Sequence, residues 1–302
     1  MVLIRLTGAD NRHVTGTTGS YGAAAGSAKL LNLSAKQFEY ALGHITSITG
    51  GTRGAFGTDT KTLHMGRGAQ NGILAGLLAR EDFGTGKDII AYWAKLVSPS
   101  INMDALSDRL GQKWDLLDNT FKPYPCGIVI HPVIDAGLEL QKRGISPKDV
   151  QTIHVKVNPQ CVRLCNIRHP KTALEAIFSL YHGCAVALLY GAAGKVEYSD
   201  EACNRQEVAE IRAKIEATTD ATLRDEEAHI IVLLRDGRQE KVHIKHAKGS
   251  LTNPLTQKDV EAKFIDQSKD ALGMEKCKRI IEICRNLENL ENIAQLLEFC
   301  QT

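Results

Sequence analysis

The stretch from Gly57 to Leu78, GTDTKTLHMGRGAQNGILAGLL, restricts the fold more than any other. Glycines 66, 68, 72 and 76 interleave with Ala69, Ile73, Leu74, Leu77 and Leu78. That pattern predicts a core helix with neighbours packed close against it. A helix beginning near Thr60 brings Lys61, His64 and Arg67 onto successive turns, within a sector of roughly 120°. Its N-terminus offers unpaired N–H groups and the positive end of the helix dipole, where a carboxylate or phosphate is stabilised. The segment therefore reads as the floor of an anion site. The same spacing suits two solvated charges and a satisfied buried histidine, and spacing alone leaves both readings open.

A second small-residue run precedes it. Residues 9–32, ADNRHVTGTTGSYGAAAGSAKLLN, pass from a polar loop into a helix built almost wholly of Gly, Ala and Ser. Thr15 or Thr17 is placed to cap that helix, with His13 just ahead of its positive end. Glycines 16, 19 and 22 do not make a nucleotide loop, because no G-K-[ST] follows and no strand clearly precedes them. Ser34 opens an amphipathic helix that stops at Gly50-Gly51. A Gly-rich loop leads into the basic helix, and a further helical segment runs from Asp88 to Val97.

The segment FKPYPCGIVIHP, residues 121 to 132, is a stiff domain boundary, since each proline fixes its own φ and restricts the residue before it. Lys122 on such a strap is either aimed into a cleft or a plain linker lysine. A helix is expected from Ile128 to Arg143. Ile153, Val155 and Val157 alternate with polar residues as a half-buried strand. A single helix is expected over Ala173 to Tyr190, and helix again over 200 to 217. His229 to Leu234 and Lys241 to Lys245, joined through Asp236-Gly237, form a hairpin. The last 45 or so residues return to helix.

The net charge is +2 and no long run of one sign appears, which speaks against nucleic-acid or membrane-surface binding driven by bulk charge. Eight cysteines are scattered without a CxxC pair, and Cys161 and Cys165 have no matching Cys/His pair for a zinc site. Reduced thiols in an intracellular compartment are the simplest account. No apolar run approaches a bilayer span, and the start MVLIRLTGAD is too short in its apolar part for a signal peptide. A cytoplasmic location is expected, or a mitochondrial one if a presequence has been lost.

With these stretches in view the chain resembles the MmgE/PrpD family, which includes 2-methylcitrate dehydratase, cis-aconitate decarboxylase and an iminodisuccinate epimerase. The resemblance rests on HVTGTTGSYGAAA, GTDTKTLHMGRGAQNGILAGLLA and FKPYPCGIVIHPVIDA in that order, with AIFSLYHGCAVALL, the DGR hairpin and the closing KDVEAKF and RNLENLENI pattern in support. It covers nearly the whole chain. It implies a mainly α fold with a smaller α+β domain: an all-helical domain over 1–120, an α+β lid over 121–255, and C-terminal helices, 256–302, returning to the helical domain. It further implies that the helical domain is incomplete at its N-terminus, lacking an acidic residue and a further histidine of the family's site.

The family's active-site histidine matches His13, its lysine in T-K-x-L-H matches Lys61, its hinge lysine matches Lys122, and its tyrosine in the helix after the first lid strand matches Tyr181. His64 and Arg67 rank behind these as groups that bind substrate or buttress the site. The resemblance implies neither a metal nor an organic cofactor, a small polycarboxylate substrate, and a homodimer. Cations bind carboxylates and an imidazole or phenol moves a proton beside them. The expected function is a cofactor-independent lyase on a di- or tricarboxylic acid. Its rivals are a non-catalytic remnant that binds a carboxylate or a full-length paralogue, and a dicarboxylate epimerase. Carboxylate clamps do not name the acid, nor separate dehydration from decarboxylation.

Overall fold

The computed structural model describes residues 12–98 and 100–301, so the reading of the chain's start lies outside the described residues. The chain divides into two compact units between Asp118 and Asn119. The fold is mainly α with a smaller α+β part, as expected.

Among the described residues the first unit holds four α-helices: α1 (Val14–Leu30), α2 (Ala35–Ile48), α3 (Thr60–Arg80) and α4 (Ile89–Val97). Ser34 caps α2 through a reciprocal box with Gln37, which satisfies two of the N–H groups a helix start leaves over. Neither Thr15 nor Thr17 caps α1. Its N-cap is His13, without a side-chain cap, and the Thr17 hydroxyl donates back to the His13 carbonyl. A threonine inside the first turn reaches the carbonyl four residues back more readily than a free N–H.

The core helix α3 buries a different face from the one its large residues suggest. Gly68, Gly72, Ala75, Gly76 and Ala79 are buried, whereas Ile73 is 55% exposed and Leu74 and Leu77 are exposed as well. The reason is close approach. A Cβ added at Gly72 would lie 2.7 Å from the Ala23 carbonyl carbon and the Ala24 nitrogen of α1, so the two backbones touch where neither carries bulk. Tyr21, Ile45 and Trp93 fill the small core beside that seam.

The second unit is built on a four-stranded sheet, where the sequence showed three strands. β1 (Val150–Val157), β2 (Ile215–Thr219), β3 (Ala228–Leu234) and β4 (Gln239–Ile244) are ordered β2-β1-β3-β4, with β2 parallel to β1 and the other pairs antiparallel. The missed strand, IEATT, follows directly on a helix and alternates weakly, because it is an edge whose partner lies some sixty residues back in sequence. The helix read over 200 to 217 is two short ones, Asp200–Cys203 and Gln206–Ala213, ending before that strand. The helix read from Ala173 to Tyr190 is also broken: a turn at Ala173–Ala176 precedes α5 (Leu180–Tyr190), which starts anew because the Ser179 side chain accepts from the His182 N–H. A 3₁₀ turn at Ile128–Ile130 leads into α6 (His131–Lys142), which packs on α5 and on β3 and β4. Ile153, Val155, Ile230, Val232 and Leu234 point inward to this core, and His154, Lys156, His229 and His243 line the outer face. The closing helices α7 (Gln257–Leu272), α8 (Met274–Arg285) and α9 (Ala294–Phe299) belong to the second unit.

Candidate active site

In the first unit His13 and His64 meet. His13 is 6% exposed, its backbone N–H donates to the Gly51 carbonyl, and its Nδ1 lies 3.0 Å from Nδ1 of His64. A bond between two Nδ1 atoms requires that one ring carry the proton there and the other accept it. His64 projects from the first turns of α3 into a seat shaped by glycine. A Cβ at Gly16 would stand 2.8 Å from the His64 Cβ, and one at Gly51, whose φ is +121°, would stand 3.0 Å from its Nδ1. Gly16 and Gly51 therefore make room for an imidazole.

Cations and one aromatic ring surround the pair. Phe56 meets the His13 ring edge-on at 5.2 Å, and the Lys61 ammonium lies 4.7 Å from the centre of the Phe56 ring. Burial holds the His13 pKa below the ordinary histidine value, and the charges of His64, Lys61 and Arg53 push it the same way. His13 is thus a neutral imidazole near pH 7, competent as a base, with a second imidazole bonded to it and positive charge close by. Arg67 stands apart from this cluster: its guanidinium donates to Gln70 on the exposed side of α3. Arg53 and Phe56 were missed by the sequence reading, and the loop TRGAFGTD gave no periodic signal that would have singled them out.

In the second unit Lys122 donates from Nζ to the Cys126 carbonyl at 3.0 Å, while its own carbonyl accepts from Lys263. The strap is therefore tied at both ends, and Lys122 lines a cavity of about 570 Å³ with Tyr124, Lys248, Asp259 and Lys263. Tyr181 is buried; its hydroxyl donates to Asn166 at 2.8 Å, the Arg168 guanidinium lies over its ring, and burial raises its pKa.

Three polar groups of this unit escaped the sequence reading. Tyr124 donates to Asp135, whose other oxygen accepts from the Lys248 N–H. Burial nonetheless raises the Asp135 pKa. His131, at the start of α6, is buried with no hydrogen-bond partner on Nε2, and burial lowers its pKa to about 3. It borders a cavity of about 510 Å³ with Asn158, Arg224, Lys248 and Ser250. Tyr124 and His131 share one Pro-rich segment, and the i, i+4 spacing of His131 and Asp135 was the available signal. All eight cysteines are free thiols, and among the described residues no helix is long and apolar enough to cross a membrane.

Comparison with known proteins agrees with this division. The MmgE/PrpD N-terminal domain matches residues 3–94, and the MmgE/PrpD C-terminal domain matches residues 124–289. The chain belongs to the MmgE/PrpD family. This MmgE/PrpD chain is 28% identical to the cis-aconitate decarboxylase of Homo sapiens over 303 aligned residues, covering 94% of the chain and 62% of the relative. It is 26% identical to the cis-aconitate decarboxylase of Mus musculus, covering 94% of the chain and 61% of the relative. It is 23% identical to the cis-aconitate decarboxylase-like protein oryM of Aspergillus oryzae, covering 92% and 63%. The MmgE/PrpD chain thus spans about three fifths of the length of these curated relatives.

Proposed function

We propose that this protein is a cofactor-independent lyase that decarboxylates cis-aconitate or a closely similar unsaturated polycarboxylate. The observation that carries the reading is the His13–His64 contact at 3.0 Å beside the Lys61 ammonium. Loss of CO₂ from cis-aconitate breaks the bond between the methylene carbon and its carboxylate. That electron pair forms a new terminal double bond, and the old double bond shifts its pair onto the vinylic carbon. One proton must arrive at that carbon. The histidine pair takes up one proton from solvent per turnover and delivers it from an outward ring nitrogen, while the Nδ1–Nδ1 bond to the second imidazole stabilises the imidazolium that carries it. Lys61 stabilises carboxylate charge next to the pair, which orients the acid and offsets the anion that builds up in the transition state. Within the second unit, Lys122 on its strap is a candidate carboxylate ligand and Tyr181 a candidate proton donor. The names and similarity of the mammalian relatives favour decarboxylation over dehydration.

The test is proton NMR of the purified chain with cis-aconitate, and in parallel with 2-methylcitrate and citrate, alongside His13→Gln and Lys61→Ala. Olefinic signals of a decarboxylated product in the wild type, with a loss of about 10²-fold or more in His13→Gln, are expected. A folded wild type that turns over none of the three acids, or undiminished turnover by His13→Gln, refutes the reading.

A further inference from the structure

The outer face of the sheet carries a cluster that carboxylate chemistry leaves unused. Glu227 stands one residue before β3 and His229 is the second residue of β3, so strand alternation puts them on the same face. His243 on β4 lies directly opposite His229 in the antiparallel register. The two rings stack with centroids 3.9 Å apart and planes 12° from parallel. His243 Nε2 lies 2.8 Å from Glu227 Oε1, and His229 Nε2 lies 3.8 Å from the same oxygen. One ligand atom of each of the three lies within 4.8 Å of the other two.

These distances suit a metal ion. Ligands bonded at about 2.0–2.1 Å in tetrahedral geometry stand roughly 3.4 Å apart, so the three donors close on an ion by side-chain rotation alone. The rotation is available, because the His229 and His243 side chains are 43% and 45% exposed. Two imidazoles and a carboxylate are a borderline-soft donor set, chosen by zinc and its neighbours over calcium or magnesium, and they leave a fourth position for water. Two cations oppose the site: Arg224 lies 3.7 Å from Glu227 Oε2, and Lys156 is the partner of His229 on β1. Arg224 has Glu226 as another partner and Lys156 is exposed, so both can turn away. We infer that Glu227, His229 and His243 bind one divalent ion of the zinc class on the outer face of the sheet, joining β3 to β4.

The test is isothermal titration of Zn²⁺ into the chelator-stripped full chain carrying Cys284→Ser and Cys300→Ser, which removes the two exposed thiols as rival ligands. One ion per chain is expected, with affinity lowered about tenfold or more in His229→Gln and His243→Gln and less in Glu227→Gln. Proton NMR of the same protein should show Zn²⁺ moving the C2–H signals of His229 and His243 ahead of those of the other histidines. This readout needs only the parent protein, so it stands if a variant misfolds. Absence of saturable binding, affinity unchanged in both histidine variants, or first shifts at other histidines overturns the inference.

Discussion

The contact between α1 and α3 makes a sharp prediction about two glycines of one helix. Gly66 and Gly72 both lie inside α3, so replacing either by alanine gains about 1 kcal/mol of helix propensity. They differ in what the new methyl meets. At Gly66 nothing lies within 4 Å. At Gly72 the methyl collides with the Ala23 Cβ and stands 2.7 Å from the Ala23 carbonyl carbon and the Ala24 nitrogen, atoms that move only if α1 moves. Overpacking of this kind costs about 1–3 kcal/mol, and backbone collision belongs at the upper end. Gly66→Ala should therefore stabilise the first unit by up to ~1 kcal/mol, and Gly72→Ala should destabilise it by ~1–2 kcal/mol. Trp93 is buried in this unit against Tyr21, with ring centroids 5.1 Å apart, so urea unfolding followed by tryptophan fluorescence reads it. Trp114 is exposed and supplies a nearly constant background. Midpoints that shift in the same direction and by the same amount in both variants would refute the claim that close backbone approach selects glycine here.

Acid should weaken the second unit before its carboxylates titrate. Burial lowers the pKa of His131 to about 3 and of His182 to about 4, so the unfolded chain binds protons at these sites from about pH 6.5 downward while the folded one does not. Their stabilising effect is complete above that pH and falls by about 1.4 kcal/mol per pH unit for each histidine as pH drops toward the folded value. Urea midpoints at pH 7.5 and 5 compared between wild type and His182→Gln check this, and an equal drop in both counts against it. Tyr124→Phe leaves an oxygen of the half-buried Asp135 without its donor and should cost about 1–3 kcal/mol by chemical denaturation; a neutral result would show that solvent supplies the bond. In the native chain Cys284 and Cys300 should react with a thiol reagent within minutes and the six buried thiols only on unfolding, since burial also lifts the pKa of Cys126, Cys161 and Cys184. Fast reaction of more than two thiols would contradict the packing.

Elements with local signals were legible in the sequence. Ser34 announced the start of its helix, and Asp236-Gly237 placed its turn, with Gly237 at φ +86°. The family motifs brought His13, Lys61 and Lys122 into view, and the spacing of Lys61 and His64 placed both on the first turns of α3. What depended on distant partners was not legible. Strand β2 exists because β1 lies beside it, and the orphaned nitrogen of His131 follows from what packs around it. The close packing of α3 was legible from its glycines, but which face it buries was not, because hydrophobicity ranks Ile73 and Leu77 above glycine while the geometry of approach to α1 rewards having no side chain at all.

The tie on Lys122 has a consequence for how the protein can change over evolutionary time. Its ammonium is occupied by a main-chain oxygen four residues on, so the resting charge is masked by an acceptor that every amino acid at position 126 would supply. An incoming anion either takes the remaining N–H donors of the ammonium or displaces that main-chain oxygen. Because the Cys126 side chain is buried in the core, a substitution at position 126 acts on this latch only through the backbone it displaces. Changes that bend the strap, at Pro123 or Pro125 or at the Lys263 anchor, retune in the same way how readily the lysine lets go.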